Sequence, residues 1–482
     1  MEFQFLSSTI LFAFLLLLIK VLKLVKTSKV KGTSPNVPPG PWKLPLVGNL
    51  HQMISPLPHH SLREMAKKYG PLMFLQLGEV PTIFVSSPEI AKQIMKTHDT
   101  IFAQRPSILV SRIISYNSTG IAFAPYSDYW KQMRKICTME LLSPKRVESF
   151  RYIREEEVVD LIKTISLNEG SVINLSDKIF SLTYGITSRA AFGRKSKDKQ
   201  AFLSIVRKIL ELASGFCLSD MYPSSKVLEL LSGMRIKLEK LHKETDRILE
   251  NIISERKQRR SNRTETEECP IDVLLKRQQY GAHDLHFTLT NDNIKAIIMD
   301  IFVAGSDTSS TVLEWAMSEL LKNPGLMKKG TNRVFKETLR LHPPAPLLVP
   351  RESMENCVIN GYDIPAKTRV IVNGWAIGRD PNFWSDPEVF SPERFLDTSI
   401  DYKGREFEYI PFGAGRRMCP GILFSRPNVM LPLAQLLYHF DWKISGGTNQ
   451  KDLDMTEEFG LIVRRKNDLL LISTLYHPST VG

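Results

Sequence analysis

A mainly α-helical fold with a small β part (α+β), carried behind an N-terminal transmembrane helix, is what this sequence predicts. Three observations predict it. Most segments from Ser87 to Lys322 repeat their apolar residues at helical spacing. Past residue 343 the chain turns to prolines, short β runs and irregular loops. Residues 3–19, FQFLSSTILFAFLLLLI, carry no charge.

The apolar run is followed at once by Lys20, Lys23, Lys26, Lys29 and Lys31, and Val21, Leu22, Leu24 and Val25 lengthen it. Because the positive charge comes after the apolar stretch and no small-x-small site separates them, a retained anchor is expected rather than a cleaved signal peptide. Lysines on that flank stay cytosolic, which leaves the short N-terminus across the membrane and the body in the cytosol. The five cysteines, at 137, 217, 269, 357 and 419, agree: they are odd in number and form no CxxC pair, so neither a disulfide framework nor a zinc ribbon is indicated. The chain therefore divides into an anchor with its lysine-rich flank, 1–31, and a body, 32–482.

Pro35 and Pro38-Pro39-Gly40-Pro41 make a stiff spacer after the lysines. Residues 72–86, LMFLQLGEVPTIFVS, read as a hairpin around a Gly-Glu turn. Helices are expected at 88–97, 125–142, 150–166, 200–213, 235–260 and 290–322, with a mobile polar loop at 258–270. A β run at 368–373, a helix at about 422–440 and a β-rich end complete the body.

A hydrophobic content of 43% suits a globular core and excludes a disordered chain. The balance of 64 Lys+Arg against 51 Asp+Glu gives +13. Its clearest cluster lies beside the anchor and no recognition motif accompanies it, so a membrane surface and an acidic protein partner account for it better than nucleic acid does. His283 and His286 have no third ligand nearby and read as surface residues.

The segment Phe412-Gly413-Ala414-Gly415-Arg416-Arg417-Met418-Cys419-Pro420-Gly421 is a glycine-rich loop ending in a cysteine just before a helix. Glycines let backbone approach a flat ligand, and a helix N-terminus favours thiolate over thiol. A thiolate axial ligand pushes electron density onto haem iron and favours O–O cleavage, and Arg417 is placed to meet a propionate. A buried structural cysteine is the bland alternative, but the full FxxGxRxCxG spacing argues against it.

With AGSDT at 304–308, ETLR at 337–340, PERF at 392–395, WKQMR at 130–134 and the prolines at 38–41, this loop resembles the cytochromes P450. The combination is similar to the plant microsomal branch that contains many terpenoid hydroxylases, over nearly the whole chain. The resemblance implies a haem-thiolate monooxygenase with 32–482 as its catalytic domain, facing the cytosol from a single-pass anchor in the endoplasmic reticulum membrane. It implies haem b with Cys419 on the iron, and a binding set of Trp130, Arg134, Ala304, Gly305, Phe412, Gly413, Gly415, Arg417 and Gly421. Asp307 and Thr308 would deliver protons to bound dioxygen, and Glu337, Arg340 and Arg394 would form a structural cluster around the haem core.

Because no GxGxxG, Walker loop or flavin motif is present, electrons must come from a separate NADPH-cytochrome P450 reductase. Lys131, Lys135 and Arg416 are candidates for its docking face. By resemblance the substrate walls come from about 104–122, 212–220, 297–308, 345–350 and 458–463, where Ile108, Ile113, Ile301, Ala304, Ala345, Leu348, Gly460 and Leu461 suit a hydrophobic molecule of terpenoid size.

The sequence departs from the family in two places. Twelve residues separate Pro324 from Glu337, where a further helix and connector are expected. The helix carrying Glu337 is therefore expected to start late, capped by Asn332. Arg426-Pro427 stands where relatives carry small or apolar residues, and an internal proline costs roughly 3 kcal/mol. These departures motivate a rival reading, an inactive or haem-poor variant. A second rival is a haem-thiolate isomerase or dehydratase, which needs no reductase and is distinguished by activity without NADPH.

Overall fold

The computed structural model describes residues 35–193, 199–213, 217–261, 268–280, 287–327, 330–447 and 449–476. The transmembrane helix expected at 3–19 and the His283/His286 pair lie outside them.

In chain order the labelled elements are α1 (Pro58–Tyr69), β1 (Leu72–Leu77), β2 (Val80–Val85), α2 (Asp128–Ile136), α3 (Arg151–Ser166), β3 (Val172–Asn174) and α4 (Leu175–Phe192). There follow α5 (Lys199–Leu212), α6 (Met234–Ser261), α7 (Asn291–Lys322), α8 (Thr331–Leu341), β4 (Arg351–Glu352) and β5 (Arg369–Val372). The C-terminal part adds α9 (Ile422–His439), β6 (Phe440–Ile444), β7 (Glu457–Glu458), β8 (Arg464–Arg465) and β9 (Leu470–Leu475). The fold is largely helical with small sheets.

The hairpin at 72–86 forms with Leu72 opposite Val85 and Leu77 opposite Val80, leaving Gly78-Glu79 as the turn. Gly78 sits at φ +61°, a backbone conformation that favours glycine. β2 also pairs in parallel with β5, and β4 closes a four-stranded sheet in the order β1-β2-β5-β4. Alternate residues face opposite sides: Ile83, Val85, Val370 and Val372 pack toward Ile410 and Ala414 beside the cysteine loop, while Phe84 and Ile371 pack toward Leu347 and Met221. One sheet thus supports the loop on one face and a cavity wall on the other.

α7 is the central helix. Thr290 and Asn293 cap it reciprocally, the Thr290 side chain accepting from the Asn293 backbone at 3.2 Å and the Asn293 side chain from the Thr290 backbone at 3.0 Å. Among the described residues α7 is long and apolar enough to cross a membrane, but 67% of its most apolar window is buried inside the fold, as expected for a core helix. α4 packs along it, with the Tyr184 ring edge-on to Phe302 at 5.0 Å.

The structure differs from expectation at four places. α1 and α4 are helices that the apolar spacing does not mark; 13 of the 18 residues of α4 are buried, so no polar face sets a period. The helices expected at 88–97 and 125–142 each finish in a wider π turn, at Gln93–Thr97 and Cys137–Leu141. The loop expected at 258–270 is helix up to Ser261 and helix again from Pro270, and 262–267 lie outside the described residues. α8 starts at Thr331 with extended Gly330 at its N-cap, so Asn332 lies within the first turn rather than capping it.

Candidate functional site

Cys419 lies two residues before Gly421, which is the N-cap of α9. The loop holds itself by backbone bonds, Cys419 donating to the Phe412 carbonyl at 3.0 Å and Met418 to Gly415 at 3.0 Å. The Cys419 sulfur accepts from the Gly421 N–H at 3.4 Å. Burial pushes the thiol up, offset in part by that N–H and by the Arg134 guanidinium. A cation on the sulfur would favour the thiolate there.

Two of the loop glycines are required by backbone and packing within the protein itself. Gly415 is at φ +70°, and a Cβ there would stand 2.0 Å from the Met95 carbonyl oxygen and 2.7 Å from Asp99. Its missing side chain thus admits the protein's own π turn. Gly413, at φ +69°, has nothing within 4 Å of a Cβ and needs glycine for its backbone alone.

Around the loop stand four arginines. Arg417 donates to the Ala103 and Ala124 carbonyls at 2.7 and 2.6 Å, lies 4.0 Å over the Trp130 ring, and leaves Nη1 buried without a partner. Trp130 Nε1 donates to the Ile121 carbonyl at 3.0 Å, and Arg134 donates to the Met418 carbonyl. Arg105 donates to the carbonyls of Ala122, Val349 and Pro350. Arg351 donates to Ala414 at 2.8 Å and pairs with Asp99 at 3.2 Å.

Carbonyl oxygens orient these guanidinium groups without neutralising them, except that Asp99 pairs with Arg351. Burial followed by the like charges of Arg351 and Arg134 pushes Arg417 down to about 9, and burial with Arg417, Arg351 and Arg134 pushes Arg105 well down. Such a cluster calls for an anion. Haem b offers two propionate carboxylates and an iron that takes a sulfur ligand, so these arginines with Cys419 fit that cofactor. Arg105 and Arg351 have no counterpart among the residues singled out from sequence; the available signal is a lone charge in the stretch FAQRPSILV and an arginine closing the apolar stretch APLLVPR.

On α7, Ala304 and Thr308 share the more exposed face, and the Thr308 hydroxyl donates to the Ala304 carbonyl of its own helix. Asp307 is turned to the packed side. It is 1% exposed, both its oxygens lack hydrogen-bond partners, and the Arg464 guanidinium lies 3.7 Å away. Burial raises its carboxyl, opposed by Arg464 and Arg207. The structure does not join Asp307 to Thr308. Gly305 is small for packing: a Cβ would lie 3.1 Å from Thr187 of α4 and 3.3 Å from the Phe424 ring.

Glu337 accepts from Arg340 through both oxygens at 2.8 Å and from Arg394 at 3.0 Å, binding α8 to the 391–395 turn. A narrow cavity is lined by Ile108, Phe123, Leu347, Leu348, Phe459 and Leu461, with Gly460, Arg369 and others. Of the residues expected as walls, Ile108, Leu348, Gly460 and Leu461 line it, whereas Ile113, Ile301, Ala304 and Ala345 do not. Lys135 and Arg416 are exposed, as is Lys131, which pairs with Asp128 at 3.0 Å.

The sequence matches the family model "Cytochrome P450" over residues 38–332 and 329–472. This chain belongs to the cytochrome P450 family. The match comes in two pieces that meet where the sequence lacks a block. A curated relative named cytochrome P450 71D10, from Glycine max, is 53% identical over 93% of this chain and 94% of its own length. Tabersonine 6,7-epoxidase isoform 1 of Catharanthus roseus is 49% identical over 98% of both chains. Premnaspirodiene oxygenase of Hyoscyamus muticus is 47% identical over 99% of this chain and 100% of its own. A zebrafish cytochrome P450 solved with abiraterone shares the fold, with a TM-score of 0.73 and 23% identity over 88% of this chain and 100% of that one. This cytochrome P450 is a haem-thiolate monooxygenase with haem b as its cofactor. It works with NADPH-cytochrome P450 reductase, O2 and a small hydrophobic substrate.

Proposed function

We propose that this cytochrome P450 hydroxylates a terpenoid-sized molecule at the endoplasmic reticulum, with 1–31 as a single-pass signal anchor and 32–482 as the catalytic domain facing the cytosol. The observation that carries the reading is the set of four like-charged arginines, three buried and Arg134 half-buried, gathered around the half-buried Cys419 sulfur. The apolar walls of the narrow cavity support a hydrophobic substrate, and relatives with names such as premnaspirodiene oxygenase support its class. The lysines at 20–31 and the exposed Trp42, Leu46 and Ile54 support a body resting against a membrane.

Haem, held through Cys419, supplies the activation of O2 and the transfer of one oxygen atom to the substrate. Arg105, Arg134, Arg351 and Arg417 would hold its propionates, and the Trp130 ring, 4.0 Å from the Arg417 guanidinium, orients that side chain. Phe412, Gly413, Gly415 and Gly421 shape the loop that presents the sulfur, while Gly305 packs α7 closely against Thr187 and Phe424 and the small Ala304 would leave room for the cofactor. Thr308 would move a proton at Oγ1 once released from its bond to the Ala304 carbonyl, whereas Asp307, packed beside Arg464, would have to turn from that side to resupply it. Glu337, Arg340 and Arg394 stay structural. Lys131, Lys135 and Arg416 offer the reductase an exposed basic face.

The test is the ferrous carbon-monoxide difference spectrum of the chain in microsomes, beside Cys419→Ser. A thiolate spectrum lost in the variant is expected. The short connection between α7 and α8 favours one rival, poor haem retention: a thiol-type spectrum or none, restored when a relative's block refills the gap, would establish it instead.

A further inference from the structure

Among the apolar walls of the cavity, Arg369 is the exception. It stands on β5 two residues before Ile371, and strand geometry puts both side chains on one face, toward Leu347, Phe459 and Leu461. The residue is 4% exposed. Its Nη2 donates to the Asp220 carbonyl at 3.3 Å, and its Nε is buried without a partner. A buried donor without an acceptor is unfavourable, and a cavity is where a ligand can supply the acceptor.

We propose that Arg369 determines substrate class by giving an otherwise apolar cavity one hydrogen-bond donor, selecting hydrophobic molecules that already carry a neutral oxygen acceptor over plain hydrocarbons. The proposal rests on the cavity being the substrate's, as the reading above has it. Neutral acceptors are favoured over carboxylates because the charge of Arg369 is already partly balanced. Glu352 stands opposite it across β4, and its attraction to Arg369, like that of Asp220, offsets the burial that raises both carboxyls. A ketone, hydroxyl or ester oxygen completes the donor without adding a third negative group. The reaction that supplies the substrate is then itself one that installs oxygen on the skeleton, and this enzyme acts at a second position.

The experiment uses full-length haem-loaded protein in membranes and reads the spin-state shift on ligand addition, a binding signal that requires no turnover. The probes are matched pairs: decalin with decalone, and a bicyclic sesquiterpene hydrocarbon with the ketone of the same skeleton. The wild-type protein is expected to bind each ketone about tenfold more tightly than its hydrocarbon, the scale of one hydrogen bond to a charged donor. Arg369→Leu is expected to abolish or reverse that preference, with Arg369→Gln intermediate. Equal affinities in the wild-type protein overturn the proposal whether or not the variants fold, and so does a ketone preference that survives in Arg369→Leu with an intact thiolate spectrum. If neither member of any pair shifts the wild-type spectrum, the assignment of the cavity to a terpenoid-sized substrate fails, and this proposal with it.

Discussion

Replacing Glu337 by Gln tests how much of the fold hangs on one buried carboxylate. Its two oxygens take four hydrogen bonds: two from Arg340 at 2.8 Å, one from Arg394 Nε at 3.0 Å and one from the Ser391 N–H at 2.8 Å. The Glu337 and Arg340 side chains are 0% exposed. Arg340 in turn donates to the Gly378 and Pro387 carbonyls at 2.7 and 2.6 Å, so this pair ties α8 to the 378–394 segment. Glutamine keeps the shape but leaves the Arg340 charge buried without its counter-ion, which costs about 3–5 kcal/mol. Arg394 is 11% exposed and also bonds the carbonyls of Ser385, Asp386 and Val389 near the surface, so Arg394→Gln is expected to cost about 1–2 kcal/mol. Urea unfolding of the detergent-solubilised chain measures both, as midpoint shifts at unchanged slope. A loss for Glu337→Gln no larger than that for Arg394→Gln would refute the argument that complete burial makes Glu337 the keystone of the cluster.

Two further substitutions separate backbone strain from close contact. Gly413→Ala is expected to cost about 1–2 kcal/mol for its positive φ alone, whereas Gly415→Ala adds a Cβ 2.0 Å from the Met95 carbonyl and is expected to lose haem as well as stability, read from the thiolate spectrum. Asp300 supplies a pH dependence. Burial pushes its carboxyl from 3.8 up to about 6, offset in part by the Ala122 and Ile121 N–H groups. A carboxyl raised on folding binds a proton in the native state that the unfolded chain has released. Stability therefore falls as pH rises through that window, by about 3 kcal/mol. Asp300→Asn is expected to flatten this slope in urea midpoints measured across the window, and parallel curves for the two proteins would contradict it.

What the sequence makes legible is the chemistry held in short spacing. The cysteine loop, AGSDT and Glu-x-x-Arg each lie within ten residues, so residue type and interval alone restrict what they can do. Arg105 and Arg351 are not legible in this way, because their role comes from contacts such as Arg105 to Val349, 244 positions apart, and Arg351 to Ala414, 63 apart. The glycines illustrate a subtler limit. Their need for freedom is visible in the sequence, but Gly415 spends it on the Met95 turn and Gly305 on Thr187 and Phe424, partners brought close by tertiary packing.

The shortened connection shows packing overriding local signals. From Lys322 to Thr331 the described chain offers the turn Pro324–Leu326 and extended Gly330. Gly330, Thr331 and Asn332 are poor helix residues, and no side chain caps α8. A helix of 11 residues is marginal alone in water. α8 nonetheless begins directly at Thr331, because Val334, Phe335, Leu339 and Leu341 are buried in the main core and Glu337 is clamped by two arginines. The same reasoning covers α9, which runs unbroken through Pro427 and Pro432 while Phe424, Val429, Leu433 and Leu436 hold it against that core. The stability of α8 is therefore tertiary in origin and depends on the core beside it, so the short connection from α7 does not leave the Glu-x-x-Arg turn unformed.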